Sequence, residues 1–330
     1  MESATTTDAP TLVGGRTGER PAARPEQAQR EGEQTSTATS ARRSALDVVR
    51  DYVALTKPRI ISLLLVTTVA TMVVAKPEGL ALSTILWTML GGYLAAGGAG
   101  AINHYVDRER DARMARTRAR PLVAGRIEPL HGLVFGIVLG ALAFVQLWAT
   151  VNLLSALLAM AGLLGYVFVY TIWLKPLTPQ NIVIGGAAGA VPPLVGWAAA
   201  SGGLTLDSLY PFAIVFLWTP PHFWALSLLI KDDYARTGVP MLPVVAGEEA
   251  TRRQIVLYAV GLGAFTLLPV ATGLFGAIYL VCAAVLGVAF AGLPVALARR
   301  PSRRAALRLY LSSLAYLALL FAAMAVDRVV

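Results

Sequence analysis

One cysteine, Cys282, occurs in 330 residues, so no disulfide can form within the chain. Charge is scarce too. Asp, Glu, Lys and Arg supply 14% of the sequence against 56% hydrophobic residues, with a mean hydropathy of +0.63, which excludes an ordinary soluble domain. The N-terminal segment has no apolar run of the kind a secretory signal needs, and Glu19, Glu26, Glu31 and Glu33 argue against a mitochondrial transit peptide. Residues 1–44 instead mix Thr, Ala, Glu, Arg, Gln and Gly without periodicity, as in TGERPAARPEQAQREGEQTSTATS, and read as a disordered cytoplasmic tail. Residues 45–330 then form one intramembrane domain.

What this stretch has in quantity is apolar runs long enough to cross a bilayer. Nine are expected, at 59–76, 80–103, 128–148, 151–173, 181–200, 208–230, 254–274, 275–297 and 305–326. The fold class follows: an all-α membrane protein, a bundle of about nine transmembrane helices enclosing a central cavity. The loops after the second, fourth, sixth and eighth spans hold seventeen lysines and arginines, from Arg108 to Arg308, and the opposite loops hold Lys76 and Arg328. By the positive-inside rule the N-terminus and the four charged loops are cytoplasmic. The net charge of +9 is therefore a topology signal and calls for no nucleic acid.

The second span runs into NHYVDRERDARMARTRARPL, which holds no Gly and no Pro before Pro121. A helix continuing through Met114 places Asn103, Asp107 and Asp111 at i, i+4 and i+8 on one face, about 6 Å apart along the axis. Two carboxylates so stacked repel, so a positive charge is expected between them. A hard divalent cation such as Mg²⁺ fits, taking carboxylate oxygens and substrate phosphate. Arg116 and Arg120, with Arg113 and Arg118, follow as guanidinium forks for phosphate oxygens. The plainer alternative is a solvated loop whose arginines only set topology.

A second polar cluster, Lys231, Asp232 and Asp233, ends the sixth span on the same side, and Ala235-Arg236-Thr237 echoes Ala115-Arg116-Thr117. Facing halves and an ordinary loop both accommodate it. His222 follows Pro220-Pro221 inside that span, where freed carbonyls and a bend make it either a structural partner or a ligand for something held in the bundle. His104 and His131 look interfacial. Lys175, with Tyr170 shortly before it, and Lys57 with Arg59 converge on the charged side as cations for a polyanion or as simple anchors.

Asn103-x3-Asp107-x3-Asp111 followed by Met114-x-Arg116-Thr117-x2-Arg120-Pro121-Leu122 resembles the signature of the UbiA-type intramembrane prenyltransferases. Further stretches resemble the protoheme IX farnesyltransferase (heme O synthase) branch. They are Leu55 to Arg59, Tyr170-Thr171 with Lys175, Thr178 to Gly186, Trp218-x2-Pro221-His222-Phe223, and Lys231-Asp232-Asp233-Tyr234 with Pro240 to Pro243. Two departures stand out: Arg110 replaces an apolar or aromatic residue, and Lys-Asp-Asp-Tyr differs from the spaced aspartates of quinone-pathway relatives.

The resemblance implies farnesyl transfer from farnesyl diphosphate to a vinyl group of heme b, with Mg²⁺ as cofactor. Asn103, Asp107 and Asp111 would carry the metal, and Lys175, Lys231, Asp232 and Asp233 would complete the catalytic set, the two aspartates also as metal ligands. Lys57, Arg59, Arg116, Arg120, Tyr170, His222 and Tyr234 would bind substrate. It further implies a bacterial inner membrane location and a heme A synthase or terminal oxidase assembly as partner. An aromatic prenyltransferase of quinone biosynthesis and, from another class, a secondary transporter are the competing expectations. The acidic residues gather at one face instead of the midplane, which speaks against transport.

Overall fold

In lipid every backbone N–H and C=O must be paired inside its own segment, and the described residues answer with helices. The computed structural model describes residues 44–330, so the expected N-terminal tail lies outside the described residues. An entry helix α1, Ala45–Thr56, precedes the first span α2, Pro58–Ala75; α3 is Leu82–Val106 and a short α4 is Arg108–Ala112. Then come α5, Pro129–Thr150; α6, Leu153–Leu177; α7, Asn181–Ser201; and α8, Leu209–Leu229. A short α9, Lys231–Arg236, leads to α10, Gly247–Ala271, α11, Ala277–Arg299, and α12, Arg303–Val329.

Nine of these helices among the described residues are long and apolar enough to span a membrane, matching the nine expected runs. The seventh starts earlier than hydropathy suggests. Its first turns carry charge paired along the helix, Glu248 with Arg252 and Glu249 with Arg253.

Packing relies on small residues, because lipid removes the hydrophobic drive that pushes helices together in water. A Cβ on Gly98 of α3 would stand 2.7 Å from the Gly136 carbonyl of α5, and one on Gly196 of α7 would stand 2.2 Å from the Thr68 carbonyl of α2. Thr67, Thr68 and Thr71 return their hydroxyls to their own helix at Leu64 and Thr67 carbonyls, so α2 buries them without loss. Outward faces are apolar: Val281, Val285 and Val288 of α11 form an exposed stripe at helical spacing, as lipid contact requires. The core on the α8, α10, α11 and α12 side is built on Trp224, Tyr279 and Phe321.

Side-chain contacts define the two ends of the bundle. At one end Lys57 meets Asn103, Lys175 meets Asp107, Asp233 meets the Ala115 amide, Lys231 meets Glu248 and Arg303 meets the Leu229 carbonyl. At the other, Arg328 meets the Val74 carbonyl, Asp327 the Gly276 amide and Asn152 the Ala198 carbonyl. The basic loops therefore share one end.

Candidate active site

The ladder forms, but not on an unbroken helix. α3 stops at Val106, Asp107 takes φ −85° and ψ −1°, and α4 ends at Ala112 instead of Met114. Register survives the bend because the Asp107 amide still donates to the Asn103 carbonyl at 2.9 Å and Asp111 to Asp107 at 2.8 Å. Beyond α4 the loop is folded by its own polar groups: Thr117 Oγ1 donates to the Asp111 carbonyl at 2.9 Å, and Gly125 takes φ +67° to turn the chain toward α5.

All three ladder residues are buried, and cations from other segments lie on them. Lys57 Nζ donates to Asn103 Oδ1 at 2.6 Å, while Asn103 Nδ2 donates to Asp107 Oδ2 at 2.8 Å and to Thr171 Oγ1 at 3.2 Å. Lys175 Nζ sits 2.5 Å from Asp107 Oδ2, and Arg110 Nη1 is 3.2 Å from Oδ1. Arg120 pairs with Asp111. Positive charge was expected between the carboxylates, and the protein supplies it with Lys57, Lys175, Arg110 and Arg120. Cations exceed carboxylates here, so the cluster as a whole suits a polyanion.

Two backbone devices bring the lysines in. Lys57 is the one non-glycine with positive φ among the described residues, at φ 58° and ψ 54°, a conformation that costs about 1–2 kcal/mol. It turns the chain between α1 and α2 and aims the ammonium at Asn103, with the Tyr166 ring 5.9 Å away. Burial, with Arg120 and Lys175 close by, pushes the Lys57 ammonium down to about 7. The second device lies within α6, where Gly165–Leu174 is wound as a π-helix and the Lys175 amide donates to the Tyr170 carbonyl. Such insertions recur at functional sites. Here it delivers Thr171 and Lys175 to the ladder. Burial acts to raise Asp107, but Lys175, Lys57 and the Asn103 amide together outweigh it and hold the carboxyl below the usual range.

The second cluster contributes unevenly. Asp233 is buried, accepts from the Ala115 amide at 3.3 Å and pairs with Arg236, which joins α9 directly to the first loop. Tyr234 is buried as well, and burial pushes its hydroxyl up to about 12, with the Arg116, Asp107, Arg120 and Asp111 charges close enough to act on it. Asp232 is exposed, as are Arg59 and Arg116. Lys231 is partly exposed and engages Glu248, whose carboxylate holds it above the ordinary lysine range. Tyr170 packs over Gly185, where a Cβ would fall 2.4 Å from its ring, and lies 5.4 Å from Tyr166.

His222 stands apart from the ladder. It is stacked between Trp218, at 4.2 Å, and Tyr310, at 4.9 Å, and its Nδ1 is 2.6 Å from Ser313 Oγ. Trp218 Nε1 donates to the Ser313 carbonyl at 2.8 Å, so α8 and α12 are tied at the proline break. His104 is 4% exposed with neither ring nitrogen hydrogen-bonded, and α1 lies close to that helix, since a Cβ on Gly100 one turn earlier would meet the Leu55 carbonyl at 3.0 Å.

Sequence reasoning passed over Arg110 as a partner for Asp107, although its i, i+3 spacing is the available signal. It also missed Tyr166, Glu248 and Ser313, whose partners are remote or lie across helices.

The UbiA prenyltransferase family model matches residues 64–322. The chain belongs to that family. A UbiA homolog from Archaeoglobus fulgidus bound to DMAPP and Mg2+ superposes with a TM-score of 0.62 at 17% identity, covering 84% of this chain and 99% of that one, which shows the shared fold. A protoheme IX farnesyltransferase from Roseiflexus sp. strain RS-1 is 54% identical over 284 residues, 86% of this chain. The chain spans about half the length of that relative, 53%. Another protoheme IX farnesyltransferase, from Symbiobacterium thermophilum, is 56% identical over 85% of this chain and 94% of its own length. As a UbiA family member with nine helices of membrane-crossing length and apolarity among its described residues, the chain is a multi-pass membrane protein.

Proposed function

We propose that the chain transfers a farnesyl group from farnesyl diphosphate to a vinyl carbon of heme b, releasing diphosphate and forming heme O. The observation that carries this reading is the buried ladder of Asn103, Asp107 and Asp111 with Lys57, Lys175, Arg110 and Arg120 gathered on it. A solvated topology loop has no reason to bury its carboxylates. The relatives from Roseiflexus and Symbiobacterium, both named protoheme IX farnesyltransferase, support the choice of acceptor and donor.

Among the described residues no three His, Cys, Asp or Glu side chains converge into a self-sufficient metal cage. The oxygen donors of Asn103, Asp107 and Asp111 suit a hard cation that completes its shell with substrate phosphate and water, which is the habit of Mg²⁺. Asp232 and Asp233 would add oxygens from the second loop. A Mg²⁺ ion held by these oxygens would supply charge neutralisation to the departing diphosphate.

The chain's own groups do the rest. Breaking the allylic C–O bond sends its electron pair to a diphosphate oxygen, and Lys57, Lys175, Arg116 and Arg120 stabilise that developing charge. Lys231, Arg59 and Tyr170 line the approach. Tyr234 stays protonated at neutral pH and serves as a donor. The vinyl π pair then closes the new C–C bond, and the carbon beside the ring takes a water oxygen and releases a proton. Apolar surface among the spans keeps water from the allylic cation until that bond has formed. His222 contacts the heme at iron or a propionate, since Ser313 takes Nδ1 and leaves Nε2 for a ligand. We place the loops on the cytoplasmic side of a bacterial inner membrane, following the lysine and arginine asymmetry, with a heme A synthase or terminal oxidase assembly receiving the product.

The test is acceptor choice. Purified protein with farnesyl diphosphate and Mg²⁺ should release diphosphate with heme b and not with 4-hydroxybenzoate. The reverse pattern moves the assignment to the quinone-pathway branch, and substrate flux without release moves it to transport.

A further inference from the structure

A cavity of about 220 Å³ opens where the C-terminus of α8 meets the start of α10, the end of α11 and the start of α12, at the bundle end that carries the basic loops. Part of its lining is apolar, with Leu229, Leu297 and Ala306. The rest is polar, and chiefly Arg252, Arg303 and Glu248. The Arg252 side chain is only 15% exposed and lies 3.3 Å from Glu248. Arg303 Nη1 donates to the Leu229 carbonyl at 2.9 Å, one of the carbonyls left over at the end of α8.

Cations outnumber acids here. Glu248 is shared between Arg252 and Lys231, and Arg303 has neighbours Arg299, Arg300 and Arg304. The sequence holds no acidic residue between Glu249 and Asp327 to offset them. The 27-residue α12 begins at the same place, and its positive end adds to the field.

A cavity half apolar and half polar, with two guanidiniums against the one carboxylate of Glu248 and set where spans leave the membrane, selects an amphiphile with an anionic head. A free hydrated anion gains nothing from Leu229, Leu297 and Ala306, and an acyl chain alone gains nothing from two arginines. Basic pockets between spanning helices at a membrane face are known to take anionic lipid headgroups. The volume suits a phosphoglycerol head and is too small for a tetrapyrrole. We propose that this cavity binds the phosphate headgroup of an anionic membrane lipid, with Arg252 and Arg303 as its ligands. The site is separate from the carboxylate ladder and stands independently of the farnesyl-transfer reading.

The test uses the full chain in nanodiscs of phosphatidylcholine alone, of phosphatidylcholine with phosphatidylglycerol, and of phosphatidylcholine with inorganic phosphate in the buffer. Thermal unfolding and native mass spectrometry of retained lipid are read together. Phosphatidylglycerol should raise Tm and be retained. R252Q/R303Q should lose the rise and retain at least tenfold less lipid, while R299Q/R300Q, with the same charge removed beside the cavity, should keep both. If R252Q/R303Q does not fold, Ala306→Phe, which fills the cavity at unchanged charge, must abolish the rise. The proposal is overturned by equal Tm in the lipid mixtures, by a rise that survives R252Q/R303Q or Ala306→Phe, or by inorganic phosphate reproducing it.

Discussion

Replacing Lys175 with Gln tests whether the ladder is an assembled electrostatic unit. Lys175 Nζ lies 2.5 Å from Asp107 Oδ2, and the two side chains are 15% and 2% exposed. Removing one member of a buried pair strands the other charge at a cost of about 3–5 kcal/mol. Arg110 at 3.2 Å and the Asn103 amide at 2.8 Å still serve Asp107, so the lower end, about 3 kcal/mol, is expected. Asp107→Asn combined with Lys175→Gln leaves neither charge stranded and should recover about 2 kcal/mol of the summed single losses, a coupling within the range of contacting residues.

Activity should behave differently. Loss of one electrostatic stabiliser lowers kcat by about 10²–10³, and the double variant should recover none of it. The assays are denaturant unfolding in detergent micelles and the rate of diphosphate release. Additive stability losses, with coupling under about 0.5 kcal/mol, would refute the pairing. Recovery of activity along with stability would reduce the pair to a structural role.

Three further outcomes follow from the structure. Gly196→Ala drives a Cβ to within 2.2 Å of the Thr68 carbonyl and should destabilise by roughly 1–3 kcal/mol, whereas Gly261→Ala meets nothing within 4 Å and should be neutral or slightly stabilising in the same unfolding assay. Chelation with EDTA should stop diphosphate release and leave the unfolding temperature unchanged, with Mg²⁺ restoring turnover; a fall in Tm would mark a structural metal instead. His222→Ala should weaken heme b binding in a Soret titration without changing KM for farnesyl diphosphate, and an unchanged heme affinity would make His222 a packing residue of the α8 and α12 seam.

How much of this was legible follows from distance along the chain. Nine spans could be read because each is a local property of about twenty residues, and the Asn103, Asp107, Asp111 stack because i, i+4 and i+8 share a helix face even across a bend. Its partners could not be paired from pattern: Lys57 lies 46 residues from Asn103, Lys175 lies 68 from Asp107 and Asp233 lies 118 from Ala115. Nor does local pattern announce the left-handed turn at Lys57 or the π-helical stretch ending at Leu174. The burial of His104 is likewise a matter of neighbours distant in sequence, with Leu55 of α1 packed near Gly100 one turn earlier.

The most direct measurement is mass spectrometry of hemes extracted after purified protein is incubated with heme b, farnesyl diphosphate and Mg²⁺, beside an Asp107→Asn control. The account predicts a magnesium-dependent product heavier than heme b by a farnesyl group and a hydroxyl, absent from the control. Unchanged heme from folded protein that still consumes farnesyl diphosphate with an aromatic acid would contradict it.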